Sequence, residues 1–157
     1  MADIALIAPG NYGPDLTLMP YRIDELVVIA PARHALAKRK AVKAADLLRH
    51  DLVGAHRGSA INNQLFKAAG ELGQPLRMRI EVTSFDAMSL MVAAGLGLGV
   101  MPKNSARLFT AAQDIVAIRL DEPWALRRLH IAVRHVAALS PAARMLLDHL
   151  LRAVDPE

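Results

Sequence analysis

Cysteine is absent from all 157 residues, which removes disulfide frameworks, thiol nucleophiles and cysteine-ligated zinc together. Aromatic residues are scarce as well. Three phenylalanines, two tyrosines and one tryptophan offer no platform on which successive nucleic-acid bases stack. No apolar run approaches the ~18 to 20 residues of a membrane span, and Met1-Ala2-Asp3 lacks the basic and then apolar opening of a secretory signal. The expectation is therefore a cytoplasmic protein that does not engage membranes. Charge of one sign is not in great excess, since 19 basic against 15 acidic side chains give +4. The densest cluster, Lys38-Arg39-Lys40 with Lys43, reads as solvated loop rather than as a phosphate-binding track. What is present is a core: 54% hydrophobic and 22% charged residues exclude a disordered chain. The length suits one ordinary domain or two small lobes.

Apolar runs and helical periodicities alternate along the chain. Ile4-Ala5-Leu6-Ile7-Ala8, ended by Pro9-Gly10, predicts a strand buried on both faces, and Leu26-Val27-Val28-Ile29-Ala30 predicts a second interior strand. Between them Leu16 to Asp24 is extended and interrupted by Pro20, as a crossover would be. A short helix is expected at Ala44–Leu48, a strand at Leu52–Ala55, and a longer helix in which Ile61, Leu65, Ala68, Ala69 and Leu72 recur at helical spacing before Gly73. Met78, Ile80 and Val82 alternate with Arg77, Arg79 and Glu81, the period of a strand with one wet face. Ser84 caps a helix through Ala94, Leu96–Met101 is a strand, and a polar helical stretch covers Ser105–Ala112. Strands at Ile115–Leu120 and Leu129–Val133 precede a last helix begun by Ser140-Pro141, with Leu146, Leu147, Leu150 and Leu151 as its buried stripe. Such alternation predicts an α/β fold with largely parallel sheets.

Most familiar chemical signatures fail on inspection. Gly95-Leu96-Gly97-Leu98-Gly99 follows a helix and enters a strand, whereas a dinucleotide fingerprint needs strand, glycine turn and then helix. Gly95 fits a left-handed helix end instead, with Gly97 and Gly99 permitting close backbone packing. The six histidines are scattered and form no metal-ligand pair, and Ser59 in Arg57-Gly58-Ser59 is not a nucleophile elbow. No catalytic residue, metal or cofactor is assigned. The loop from His56 to Asn63 is better motivated. It joins an apolar strand to a helix N-terminus, where free N–H groups and the helix dipole favour an anion. Arg57 adds charge-assisted bonds, and Ser59 and Asn62 add neutral ones. The alternative left open is that Ser59 merely caps its helix and Arg57 faces water. Ser84, at the next capped helix, is a weaker candidate of the same kind.

Three segments in order carry a resemblance: Leu26-Val27-Val28-Ile29-Ala30-Pro31-Ala32-Arg33-His34-Ala35-Leu36-Ala37, Val92-Ala93-Ala94-Gly95-Leu96-Gly97-Leu98-Gly99-Val100-Met101-Pro102, and Leu139-Ser140-Pro141-Ala142-Ala143-Arg144. Together they resemble the effector-binding domain of LysR-type transcriptional regulators over almost the whole chain. Ala35 departs from the proline common after that histidine. The resemblance implies an α/β fold like type 2 periplasmic binding proteins, with two lobes joined by crossover strands and a small effector in the cleft. Carried onto this chain, residues 26–117 form a complete second lobe, and residues 1–25 and 118–157 an incomplete first lobe. The implied effector-binding residues are Arg57, Gly58, Ser59, Asn62 and Ser84, with Tyr21 and Ile118 near the hinge. The implied function is ligand-dependent control of transcription in response to a small molecule, a carboxylate or other anion. No DNA-binding domain is expected here, so DNA would be reached only through an N-terminal domain not represented, and homo-oligomerisation is expected. A solute receptor of a transport system shares this fold and is the alternative. An enzyme on the same scaffold is disfavoured, because no acid/base pair assembles.

Overall fold

The computed structural model describes residues 2–8, 10 and 12–154. Pro9 and Asn11 of the expected turn, Met1, and residues 155–157 lie outside the described residues. In chain order the elements are β1 (Ile4–Ile7), β2 (Thr17–Pro31), β3 (Ala41–Val42), α1 (Ala44–Leu47), β4 (Leu52–Gly54), α2 (Ala60–Leu72), β5 (Met78–Glu81), α3 (Phe85–Ala93), β6 (Leu98–Pro102), α4 (Lys103–Thr110), β7 (Ile115–Leu120), β8 (Leu126–Val133) and α5 (Pro141–Arg152). Short 3-10 turns occupy Ala35–Lys38, Pro123–Ala125 and Val136–Ala138. The chain divides into two compact units, residues 25–126 and residues 1–24 with 127–157. Residues 118–126, expected in the smaller lobe, pack instead in the larger unit, because Ile118, Leu120 and Ala125 are buried in its core.

The larger unit is built on Leu26 to Ala30 of β2, five consecutive residues no more than 3% exposed. Successive strand side chains point to opposite faces. Leu26, Val28 and Ala30 therefore join one apolar cluster with Ile61 and Leu65 of α2, while Val27 and Ile29 join another with Met88 and Val92 of α3. Each large side chain so buried contributes about 1.5–3 kcal/mol, and together they set the sheet between two helical layers. The strand order there is β3-β7-β2-β6-β4-β5. Pairings of β4 with β5 and β6, and of β3 with β7, are parallel; β2 runs antiparallel to both β6 and β7. The sheet is thus mixed rather than largely parallel. β2 enters from the other unit as one continuous strand of 15 residues, so its direction is not set by a helical crossover from its neighbours. The glycine run behaves as expected. Gly95 has φ +80° after α3, and a Cβ at Gly97 would lie 2.7 Å from the Asp51 carbonyl oxygen, so that approach requires glycine.

In the smaller unit β1 pairs antiparallel with β8, and Leu147 of α5 is buried with Ile131 and Val133. Arg127 of β8 forms an ion pair with Asp24 of β2, both largely shielded from solvent. Two expectations fail here. β1 is not buried on both faces: it ends the strand order, beside β8 alone, and Leu6 is 51% exposed. The stripe of α5 is narrower than its leucines suggest, with Leu146 and Leu151 exposed, because the cluster engages only Leu147 and, in part, Leu150. Leu72 of α2 is likewise exposed.

Candidate functional site

β4 delivers the chain at Gly54 to a tight turn, His56–Gly58, which Gly58 completes at φ +80°. Ser59 then starts α2. Its backbone N–H donates to the His56 carbonyl at 3.1 Å, its Oγ accepts from the Asn62 N–H at 3.1 Å, and its carbonyl accepts from the Asn63 N–H at 3.0 Å. Asn62 is 1% exposed, and both ends of its amide are spent on Ala55: Oδ1 accepts from the Ala55 N–H at 3.1 Å and Nδ2 donates to the Ala55 carbonyl at 2.7 Å. This pair of bonds clamps the end of β4 to the first turn of α2. It fixes where the N-terminal dipole of the helix points.

Beside this turn lies a cavity of about 600 Å³. Phe66, Leu76, Met78 and Ile80 supply its apolar lining, and Arg57, Arg79 and Glu81 its charge. β5 stands at the end of the strand order, and its alternation sends Arg79 and Glu81 to one face. Glu81 reaches Arg57, whose Nε donates to Oε2 at 3.1 Å while the Arg57 side chain remains 93% exposed. The arrangement offers two guanidinium groups and a helix N-terminus over an apolar floor. Each of those cations has a carboxylate partner: Glu81 for Arg57, and Asp51 for Arg79 at 3.7 Å. A small anion with an apolar or hydroxylated body matches it chemically.

Of the residues singled out by sequence, Arg57, Gly58 and Asn62 line this cavity, and Ser59 stands between them as the cap of α2. Ser84 caps α3, accepting from the Ala87 N–H at 3.2 Å, and does not line the cavity. Ile118 is 3% exposed within the core, a packing residue rather than an accessible one. Tyr21 belongs to the smaller unit, where it packs against the Ile131 cluster and carries the Arg22 guanidinium 5.1 Å over its ring. Arg79 and Glu81 were not singled out. Their signal was the strand alternation itself, but the Arg57–Glu81 contact joins positions 24 apart in sequence, which periodicity does not reveal. Among the described residues no group of three or more His, Asp or Glu is placed to hold a metal ion. Nor, among them, is any helix long and apolar enough to cross a membrane.

Comparison with known proteins gives a consistent picture. The profile of the LysR substrate binding domain matches residues 1–155. A RuBisCO operon transcriptional regulator of Allochromatium vinosum is 29% identical over 149 residues, covering 95% of this chain and 49% of that protein. The HTH-type transcriptional regulator CysL of Bacillus subtilis is 26% identical over 127 residues, covering 81% of this chain and 42% of its own length. The chain thus spans about half the length of the curated relatives it matches. Among solved structures, the regulatory domain of Synechocystis PCC6803 CcmR in complex with 2-PG superposes with a TM-score of 0.83 at 23% identity, over 98% of this chain and 74% of that one. The effector binding domain of QuiR in complex with shikimate gives 0.79 at 24%, over 96% of this chain and 70% of that one. These structural likenesses concern the fold.

Proposed function

Because this chain belongs to the LysR substrate binding domain family, a family of regulators and not of enzymes, we propose that its effector is a small carboxylate or phosphate held at the N-terminus of α2. The observation that carries this reading is the exposed Arg57 guanidinium beside the Ser59-capped turn, over the cavity floored by Phe66 and Met78. Structural neighbours support it, since 2-phosphoglycolate and shikimate are both small anions with polar bodies. In this account an incoming anion takes Arg57 from Glu81, receives N–H bonds from the first turn of α2 and meets Arg79 on its other side. Gly58 supplies the φ of +80° that the turn into α2 needs, a conformation other residues rarely adopt. Ser59 serves as cap and contributes a hydroxyl proton. Ser84, Tyr21 and Ile118 are not required by this reading.

In a full-length regulator, effector binding here would bias the equilibrium between conformations of an oligomer and so alter DNA contacts made by a separate domain. That shift is limited by the differential affinity of the effector for the two states. We further assign the smaller unit to part of the first lobe of the type 2 periplasmic-binding-protein fold, supported by the 74% coverage of the CcmR regulatory domain, and place the regulator in the cytoplasm. Calorimetric titration with a panel of carboxylate and phosphate metabolites, on wild type and Arg57→Ala, tests the effector assignment. A lost charge-assisted bond is worth about 1.5–3 kcal/mol, so the variant should bind about 10- to 100-fold more weakly. Equal affinity in both proteins overturns the role of Arg57.

A further inference from the structure

A second polar cluster lies before β4 rather than after it. The rings of His34 and His50 meet edge to face with centroids 4.8 Å apart, both half-buried, on a cavity of about 160 Å³ shared with Asp51, Arg79 and the backbone around Gly95–Leu98. His34 is held by one specific hydrogen bond. Its Nδ1 accepts from the Leu36 N–H at 3.2 Å, so this nitrogen carries no proton and caps the 3-10 turn Ala35–Lys38. That turn anchors Leu36, 5% exposed, in the core of the larger unit. Protonation at Nδ1 would set a donor against a donor.

The surroundings of His50 favour its neutral ring. Burial holds His50 below its ordinary pKa, and the charges of His34 and Arg77 act in the same direction; Asp46 opposes them and Arg39 adds to them. The carboxylates nearby are already committed to other cations. Asp46 pairs with Arg39 at 3.1 Å, and Asp51 is shared between Arg77 at 3.4 Å and Arg79 at 3.7 Å. Arg77 also donates to the Arg49 carbonyl, which brings its positive charge against the segment carrying His50. A His50 imidazolium therefore gains no uncommitted counter-ion from these carboxylates and is opposed by the charges of Arg77 and Arg39.

We propose that the His34–His50 pair is a proton-operated latch, which in the neutral state fastens the 3-10 turn Ala35–Lys38 to the segment entering β4 and on protonation releases that turn. The latch is independent of the effector assignment, although Arg79 lines both cavities. Hydrogen exchange of the full chain at about pH 7.5 and about pH 5.5, corrected for the intrinsic rates, reads it at the Leu36, Ala37 and Arg39 amides. In wild type their protection should fall about threefold or more relative to amides of α3, because proton uptake favours the released turn. In His34→Asn, which keeps a side-chain acceptor for the Leu36 N–H but does not titrate, that fall should vanish, and in His50→Phe, which keeps a ring beside His34 but removes its partner's proton, it should be reduced. Unchanged wild-type protection, or the same fall in a folded variant, overturns the latch. NMR titration of the wild-type imidazole Cε1–H resonances reads the pair without substitution: interdependent, non-ideal curves are expected, and two independent single-proton curves overturn it.

Discussion

Asn62 is where the sequence reading and the structure diverge most usefully. An asparagine in the first turn of a helix behind an arginine and a serine reads as a ligand donor. Its amide is instead fully engaged with Ala55 and 1% exposed. No local pattern distinguishes the two uses, because the partner atoms are backbone groups that look alike in every sequence. Asn62→Ala leaves a buried N–H and a buried carbonyl unpaired, and each such group costs about 1–3 kcal/mol. Chemical denaturation should therefore show a loss of about 2 to 6 kcal/mol; a loss below about 0.5 kcal/mol, the usual range for surface changes, would mean that the clamp is dispensable. Arg57 was legible as a charge on a loop, and its exposure agrees with that reading. Its partner Glu81 was not, since contact across 24 positions depends on how β5 is laid beside β4.

The strands and helices themselves were largely legible. The run Leu26–Ala30 announced an interior strand, and the structure divides its side chains between two cores as a strand must. The direction of that strand was not legible, because parallel or antiparallel pairing depends on partners distant in sequence. The full length of β2 was also hidden: Pro20 lies inside it, a residue tolerated only where a ladder bond is not needed. The short α1 illustrates how little local sequence supports an isolated turn. Asp46 accepts from the Lys43 N–H at 3.3 Å and pairs with Arg39. The backbone bond from Lys43, aided by Arg39, holds its carboxyl below its ordinary pKa against the opposing effect of burial. A folded-state pKa below the unfolded one means that ionised Asp46 stabilises the fold above about pH 4, and that this contribution is lost as pH falls through the folded value. Asp46→Asn should accordingly flatten the acid limb of the stability profile in urea titrations run between about pH 2 and about pH 6. An acid limb as steep as that of wild type would assign it to other carboxylates.

At the scale of the molecule, family membership follows from the match across residues 1–155, and the site from how the larger unit is assembled. β4 leads through the His56–Gly58 turn into α2, and the Asn62 bonds to Ala55 tie the two together beside the cavity. The smaller unit presents a different feature. β1 stands at the end of the strand order with Leu6 exposed, and α5 exposes Met145 and Leu146. Unpaired strand edges recruit further strands, so the isolated chain should self-associate in a concentration-dependent manner; light scattering that returns a monomer throughout would count against this. The central claim, an anion at the N-terminus of α2, is tested most directly by amide NMR of the 157-residue chain during titration with 2-phosphoglycolate and shikimate. The account predicts saturable shifts concentrated in His56–Asn63 and at Arg79–Glu81 for at least one of the two. Saturable shifts that leave these residues unmoved and fall elsewhere would contradict it.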